Sequence, residues 1–410
     1  MDTIRRARRS LGPGILMAMV AIGGSHLVLC PTAGAKYGFA LLWIVLLAHV
    51  LKYPSFEFSS RYTLATGESI IAGYRRLPGP KDWGLYAILV MVGVFGICGV
   101  CAVISVTAAV LYAATGIPIS ISAVLIAIVA ILLLLIGKYA LLEKINKVML
   151  AILMIVVFIA FFYSCPPPGS YSSFVIPVVP IGAAALMASL IGWLPSDMVV
   201  SLLYSTWAME KWNGEKNNKE VLNDALLDVR VGYVIIFVLA SMLLILGAMT
   251  LQPKGLVPEG EGVARTIAMV FTSSIGDWMY PLFMVVAFFI MFSTSYNGLD
   301  GGARLVSTTS GLLSERIHKR VNGFRSILTV FFGSIGAVIV YFIPHPVPMI
   351  MIAAIMGLFF APLIYFMNVY CATKLIDKEM RPPKITVALS IAGILFTMGS
   401  VLFFISVMIM

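Results

Sequence analysis

Apolar residues along this chain come in long runs. Eleven of them approach the roughly 20 mostly apolar residues that a bilayer-spanning helix needs. They cover 12–36, 39–62, 84–112, 117–137, 145–164, 180–209, 229–252, 263–298, 325–343, 346–372 and 385–409. The eighth is too long for one crossing, and the pattern predicts a short apolar segment followed by a span over 279–298. The longest polar stretches, 63–83, 210–228 and 299–324, leave no room for a soluble domain. The expectation is an all-α membrane protein with about 11 transmembrane helices. A basic segment, 1–11, precedes one polytopic domain over 12–410.

Composition sharpens this reading. The 410 residues are 60% hydrophobic and 11% charged, with a mean hydropathy of +1.02. Soluble domains carry roughly 25% charged residues. A cytosolic enzyme, a nucleic-acid-binding module and a disordered chain are thereby excluded. The net charge of +10 would point to nucleic acid in a soluble protein, but here its placement decides otherwise. With the N-terminus inside, 24 of the 28 Lys and Arg fall in inside segments, among them Arg5, Arg6, Arg8, Arg9, Lys138 and Lys216. Lys36, Lys254 and Arg265 fall outside, and Lys52 lies within a span. The prediction is a multi-pass protein of the cytoplasmic (plasma) membrane, N-terminus inside and C-terminus outside. Its partners are the lipid bilayer and a transported small ion or solute, with no nucleic acid.

The basic start and first apolar run resemble a secretory signal, and Arg8-Arg9 fits a twin-arginine one. The run continues to residue 36 and more spans follow, so it reads as a retained helix. Five cysteines, Cys30, Cys98, Cys101, Cys165 and Cys371, imply no disulfide framework. Cys98 and Cys101 read as small buried residues on one helix face. No nucleophile–base spacing, P-loop or zinc motif appears on an inside segment. The chain therefore reads as neither an enzyme nor a primary pump, and no cofactor is implied.

Two spans are interrupted. The first holds Ala21-Ile22-Gly23-Gly24-Ser25-His26, and adjacent glycines before two polar residues predict a break in the helix. The sixth holds Ile191-Gly192-Trp193-Leu194-Pro195-Ser196-Asp197, where Pro195 removes an amide donor and an ionisable residue follows at once. Backbone unwinds at membrane depth only where protein or a water-filled cavity satisfies it. An intramembrane carboxylate is a functional residue by default. The breaks lie five spans apart, as in transporters built from two five-helix inverted repeats. The repeats would cover 12–164 and 180–372, with an extra helix over 385–409.

At these residues the chain resembles the NRAMP family of divalent metal transporters. Gly12-Pro13-Gly14 opens the first helix as in that family. Ala33-Gly34-Ala35-Lys36-Tyr37-Gly38-Phe39 with Leu41-Leu42-Trp43, and Ala65-Thr66-Gly67, are similar to its second-helix flanks. The resemblance implies the LeuT-type fold, a 5+5 inverted-repeat helix bundle plus one helix, and metal transport by alternating access. The departures are specific. Gly23-Gly24-Ser25-His26 stands for Asp-Pro-Gly-Asn, and Leu194-Pro195-Ser196-Asp197 for Met-Pro-His-Asn. Ser201 replaces a further histidine, and the third span lacks the expected acids. The family's ligand set and proton route are not carried over.

His26 and Asp197 occupy the family positions that flank the ion, and they can rebuild a metal site between the two broken helices. Imidazole plus carboxylate suits Mn, Fe or Zn better than Mg or Ca. Carbonyls freed near Ala21, Ile22 and Trp193 would add oxygens. The expected substrate site is Ala21, Ile22, Gly23, Gly24, Ser25, His26, Trp193, Leu194, Ser196 and Asp197. Two other readings stay open: His26 and Asp197 simply pin the two helices, or the site takes a small polar or anionic organic solute. Lys52 and Glu57 are candidates for coupling, although Glu57 also has the spacing of a helix ion pair with Arg61. Asn297 and Asp300 read as caps at the end of the eighth span.

Overall fold

The computed structural model describes residues 12–137, 139–164, 166, 168–212 and 218–409. The expected basic segment 1–11, Lys138, Cys165 and Lys216 lie outside the described residues. Nearly every described element is helical. The first span is α1 (Pro13–Ala21), a π-helical turn (Ser25–Leu29) and α2 (Cys30–Tyr37). Then follow α3 (Leu42–Thr66), α4 (Trp83–Thr115), α5 (Ile119–Ile136) and α6 (Tyr139–Ser164). The sixth span is α7 (Ala184–Trp193) and α8 (Val199–Lys211), followed by α9 (Lys219–Thr250). The chain ends with α10 (Val263–Ile275), α11 (Met279–Leu313), α12 (Val321–Phe342), α13 (Pro346–Lys374) and α14 (Lys384–Ile409).

Among the described residues, eight helices are long and apolar enough to cross a membrane, and the bent pair α1–α2 makes nine. The other two expected spans fall short for physical reasons. Helix α3 has the length, 25 residues, but carries His49, Lys52, Glu57 and Arg61. The sixth span is divided between α7 and α8. The short apolar segment before the eighth span is α10. The predicted end of that span at residue 298 is corrected: α11 runs on to Leu313, and Asn297 and Asp300 lie in mid-helix rather than at a cap.

The core runs through the whole bundle, with α11 along α4, α9 along α2 and α13 along both α7 and α4. Helix α14 rests on α13 and α3 with only 11% of its apolar window buried, the position of a peripheral addition. Glycines bring backbones into direct contact where the first span meets α9. A Cβ built on Gly14 would lie 2.1 Å from the Asp228 carbonyl oxygen, and one on Gly34 would lie 2.0 Å from that of Leu244. In return, Gly232 abuts the Gly14 carbonyl and Gly247 that of Pro31.

The start of α1 is held from α9. Asp228 accepts from the Gly12 and Gly14 amides at 2.8 and 2.6 Å and from the Tyr204 hydroxyl at 3.1 Å. A carboxylate on orphan amides at a helix N-terminus meets both their hydrogen-bonding demand and the positive end of the helix dipole. Asp228→Ala should lower stability by about 2 kcal/mol. Its melting temperature should fall below that of the parent in the same detergent, and an unchanged melting temperature would refute the assignment.

Candidate functional site

Both breaks form where the sequence weakens the helix. After Ala21, Ile22 turns out of helical geometry (φ −80°, ψ 77°), and α1 and the continuing helix bend by 46°. In the sixth span Leu194 is extended (φ −98°, ψ 140°), the Leu194–Pro195 bond is cis, and helix resumes at Val199. A cavity of about 100 Å³ lies between the breaks. Ala21, Gly24 and Ser25 line it from the first span, and Trp193, Ser196 and Asp197 from the sixth. Helix α4 contributes an apolar wall that includes Val92, Phe95, Val100 and Val103. From α11 come Thr294, Asn297 and a floor of small residues, Gly298, Gly301 and Gly302.

Asp197 sits just ahead of α8, with its carboxylate beside the first amides of that helix and its own backbone carbonyl accepting from the Val200 amide at 3.2 Å. Its Oδ1 is buried and has no hydrogen-bond partner among the described residues. His26 is placed differently from the expectation. It is fully buried, with Nε2 3.2 Å from the Ile236 carbonyl oxygen on α9 and Nδ1 2.9 Å from Ser25 Oγ. In the neutral ring Nε2–H donates to that carbonyl and the Nδ1 lone pair meets the serine hydroxyl. His26 is not in the cavity wall, and no hydrogen bond or ion pair joins it to Asp197 among the described residues. Of the ten expected site residues, Ile22, Gly23 and Leu194 also lie outside the wall. Gly23 packs on Thr294, and the Leu194 carbonyl accepts from Lys52. Among the described residues no group of three His, Cys, Asp or Glu side chains converges.

The two coupling candidates have defined partners. Lys52 is fully buried, and its Nζ donates to backbone carbonyls at the second break. Glu57 pairs with Arg61 at 2.7 Å, and Arg61 also donates to the Met380 carbonyl. Sequence reasoning missed Thr294 and read Asn297 as a cap rather than a cavity residue, although polar residues three apart in an apolar span were a signal for both.

Leu203, Asn297 and Gly301 also line a second space of about 520 Å³, so the cavity continues toward the end of the bundle where the basic loops lie. Four charges cross that vestibule. Arg304 of α11 pairs with Glu210 of α8 at 2.6 Å and with Asp300 at 3.5 Å, and Arg325 of α12 pairs with Asp300.

The sequence profile of the natural resistance-associated macrophage protein-like transporters, Nramp, matches residues 14–407. The chain belongs to the Nramp family. An uncharacterized protein of Pasteurella multocida is 30% identical over 97% of this Nramp chain and 92% of its own length. The divalent metal cation transporter MntH of Yersinia pestis is 24% identical over 57% of this chain and 58% of its own. Among solved structures, a variant of the manganese transporter of Eremococcus coleocola superposes with a TM-score of 0.70 at 14% identity, covering 98% of this chain and 94% of that one. The nucleobase-cation-symport-1 transporter Mhp1 superposes with a TM-score of 0.61 at 14% identity, covering 97% and 92%. These likenesses establish the LeuT-type fold for this Nramp protein. It is a multi-pass integral membrane protein of a transporter family, not an enzyme.

Proposed function

We propose that this Nramp protein is a secondary transporter that moves a divalent metal cation by alternating access, with the ion held in the cavity between the two breaks. One observation carries the reading: Asp197 Oδ1 is buried in the cavity region without a partner. The Lys52 ammonium acts on this carboxylate only from a distance. A buried carboxylate oxygen with no direct partner is costly, and a cation in the cavity removes that cost. The other polar groups in the wall, Ser25, Ser196, Thr294 and Asn297, offer oxygens. The relatives named for manganese and divalent cations support the same substrate class.

The oxygen set refines which metal. With His26 turned to α9, the cavity offers no imidazole from the first span. Carboxylate, carbonyl and water ligands suit Mg, Ca and Mn, whereas Zn and Cu favour nitrogen and sulfur. The space of about 100 Å³ leaves room for an ion that keeps some of its water, at roughly 30 Å³ per molecule. Mn²⁺ or Mg²⁺ should therefore raise the melting temperature and be taken up by proteoliposomes in preference to Zn²⁺. A clear Zn²⁺ preference would refute the all-oxygen site. The apolar wall on α4 favours a second reading, an organic solute, and a solute that stabilises the protein when none of the metals does would establish it.

The membrane sidedness rests on charge placement. The N-terminus is inside and the C-terminus outside, so the vestibule opens to the cytoplasm. Cysteine introduced at Glu259 should label from outside intact cells, and cysteine at Lys378 only after permeabilisation. The reverse pattern would invert the topology.

A further inference from the structure

At the second break, four carbonyl oxygens converge on one nitrogen. Those of Ile191, Gly192, Leu194 and Ser196 lie 3.0, 3.0, 2.6 and 2.8 Å from Lys52 Nζ. Ile191 and Gly192 belong to the last turn of α7, where the negative end of the helix dipole collects, and Leu194 and Ser196 to the link behind it. Lys52 arrives from α3 and is fully buried.

An ammonium has three N–H donors, and here four acceptors surround it. The arrangement is that of a compact cation inside a carbonyl cage rather than of three separate linear hydrogen bonds. No carboxylate touches Lys52 Nζ among the described residues, and the charge of Asp197 acts on it from beyond contact distance. The cage is built from neutral oxygens and therefore matches a single positive charge. Unwound carbonyls and half-helix C-terminal ends are the groups with which discontinuous transporter helices hold small cations.

We propose that the Lys52 ammonium is a resident cation, tethered in a carbonyl site that would otherwise bind a small monovalent cation, so that the second break is closed without any alkali ion. The inference goes beyond metal transport and does not depend on it. It separates two cation positions at one broken helix: a permanent one on the backbone carbonyls, and an exchangeable one in the cavity beside Asp197. It also means that the backbone carbonyls of this break are already spent and are not ligands for a transported ion.

The test removes the tether and asks whether the empty cage takes an ion. Thermal unfolding of the full chain is followed in detergent at equal ionic strength in sodium, potassium, methylammonium and choline chloride, with no divalent metal present. The parent should unfold at one temperature in all four salts. Lys52→Ala should be destabilised in choline, and one of the three small cations should restore it in a saturable way. Lys52→Met, which fills the channel with an uncharged stem, should not be restored. If Lys52→Ala is lost during purification in choline, recovery of monodisperse protein in a small-cation salt is the supporting result. Three outcomes overturn the proposal: selective stabilisation of the parent by sodium or potassium over choline, a Lys52→Ala protein indifferent to every cation, or its loss in all four salts. Because the Asp197 charge acts on Lys52, the same salt series is repeated in an Asp197→Asn background. There a cation effect that survives belongs to the cage, and one that vanishes belongs to the cavity and overturns the proposal. Failure here leaves the substrate assignment standing.

Discussion

Asp197→Asn should abolish divalent-metal transport while leaving the protein folded. The carboxylate serves two purposes through different oxygens. One faces the first amides of α8, and an asparagine of the same shape keeps that contact while the backbone bond from the Val200 amide to the residue 197 carbonyl is untouched. The other, Oδ1, is buried without a partner. The substitution removes the negative charge, and with it the charged ligand among the cavity oxygens. Loss of even an outer-shell partner typically weakens metal affinity 10–100-fold, so loss of the ligand itself should weaken Mn²⁺ binding by roughly 100-fold or more. Calorimetric titration and proteoliposome uptake measure the loss, and the melting temperature without metal checks the fold. Uptake at the parental rate in a correctly folded variant would place the ion elsewhere.

Gly192→Ala should be among the most damaging single-methyl changes in the chain. A Cβ on Gly192 would lie 1.9 Å from the Ala354 carbonyl oxygen and 3.1 Å from the Leu358 amide nitrogen, both on α13. These are backbone atoms that cannot swing aside, so α7 must move away from α13. That movement also carries the Gly192 carbonyl off Lys52. Overpacking of this kind costs about 1–3 kcal/mol, and more where backbone must shift. Gly93→Ala is the matched control, since nothing lies within 4 Å of its added methyl and alanine is the better helix former. The first variant should unfold at a clearly lower temperature or fail to purify as a single species. The second should be no less stable than the parent. Equal melting temperatures would refute the close contact.

Most of the bundle is legible in the sequence because spanning helices announce themselves by length and apolarity. Both breaks were readable as well, from Gly23-Gly24 and from Pro195 followed by Asp197. The orientation of His26 was not. The family positions suggested that it faces Asp197, but the chain leaves helical geometry at Ile22 and re-enters through the π-helical turn Ser25–Leu29, so helical periodicity does not fix the direction of the ring, which meets the Ile236 carbonyl on α9. The partners of Lys52 were hidden for another reason. They are backbone carbonyls, which every residue possesses, and only the unwinding after Trp193 aims four of them at one point. The end of α11 was misplaced because hydropathy falls after residue 297 and Gly298, Gly301 and Gly302 weaken the helical signal. Pairs such as Asp300–Arg304, and packing against α4 and α12, keep the helix going.

The glycine contacts between the first span and α9 constrain how such a protein can turn over. Gly14 against Asp228 and Gly34 against Leu244 lie on either side of the first break, so both halves of that span are fastened to one neighbour by main-chain contact. A hinge at Gly23 cannot swing one half freely, because neither half can roll or slide on α9 without a carbonyl colliding with a Cα. These contacts favour movement of the first span and α9 as one body. The give in the machine has to come where side chains rather than backbones meet: along the glycine floor of α11, the apolar wall of α4 and the charged links among α8, α11 and α12. The interfaces expected to exchange partners during transport are thus the ones lined by Leu203, Phe95 and Arg304, while the clamp between the first span and α9 is expected to hold through the cycle.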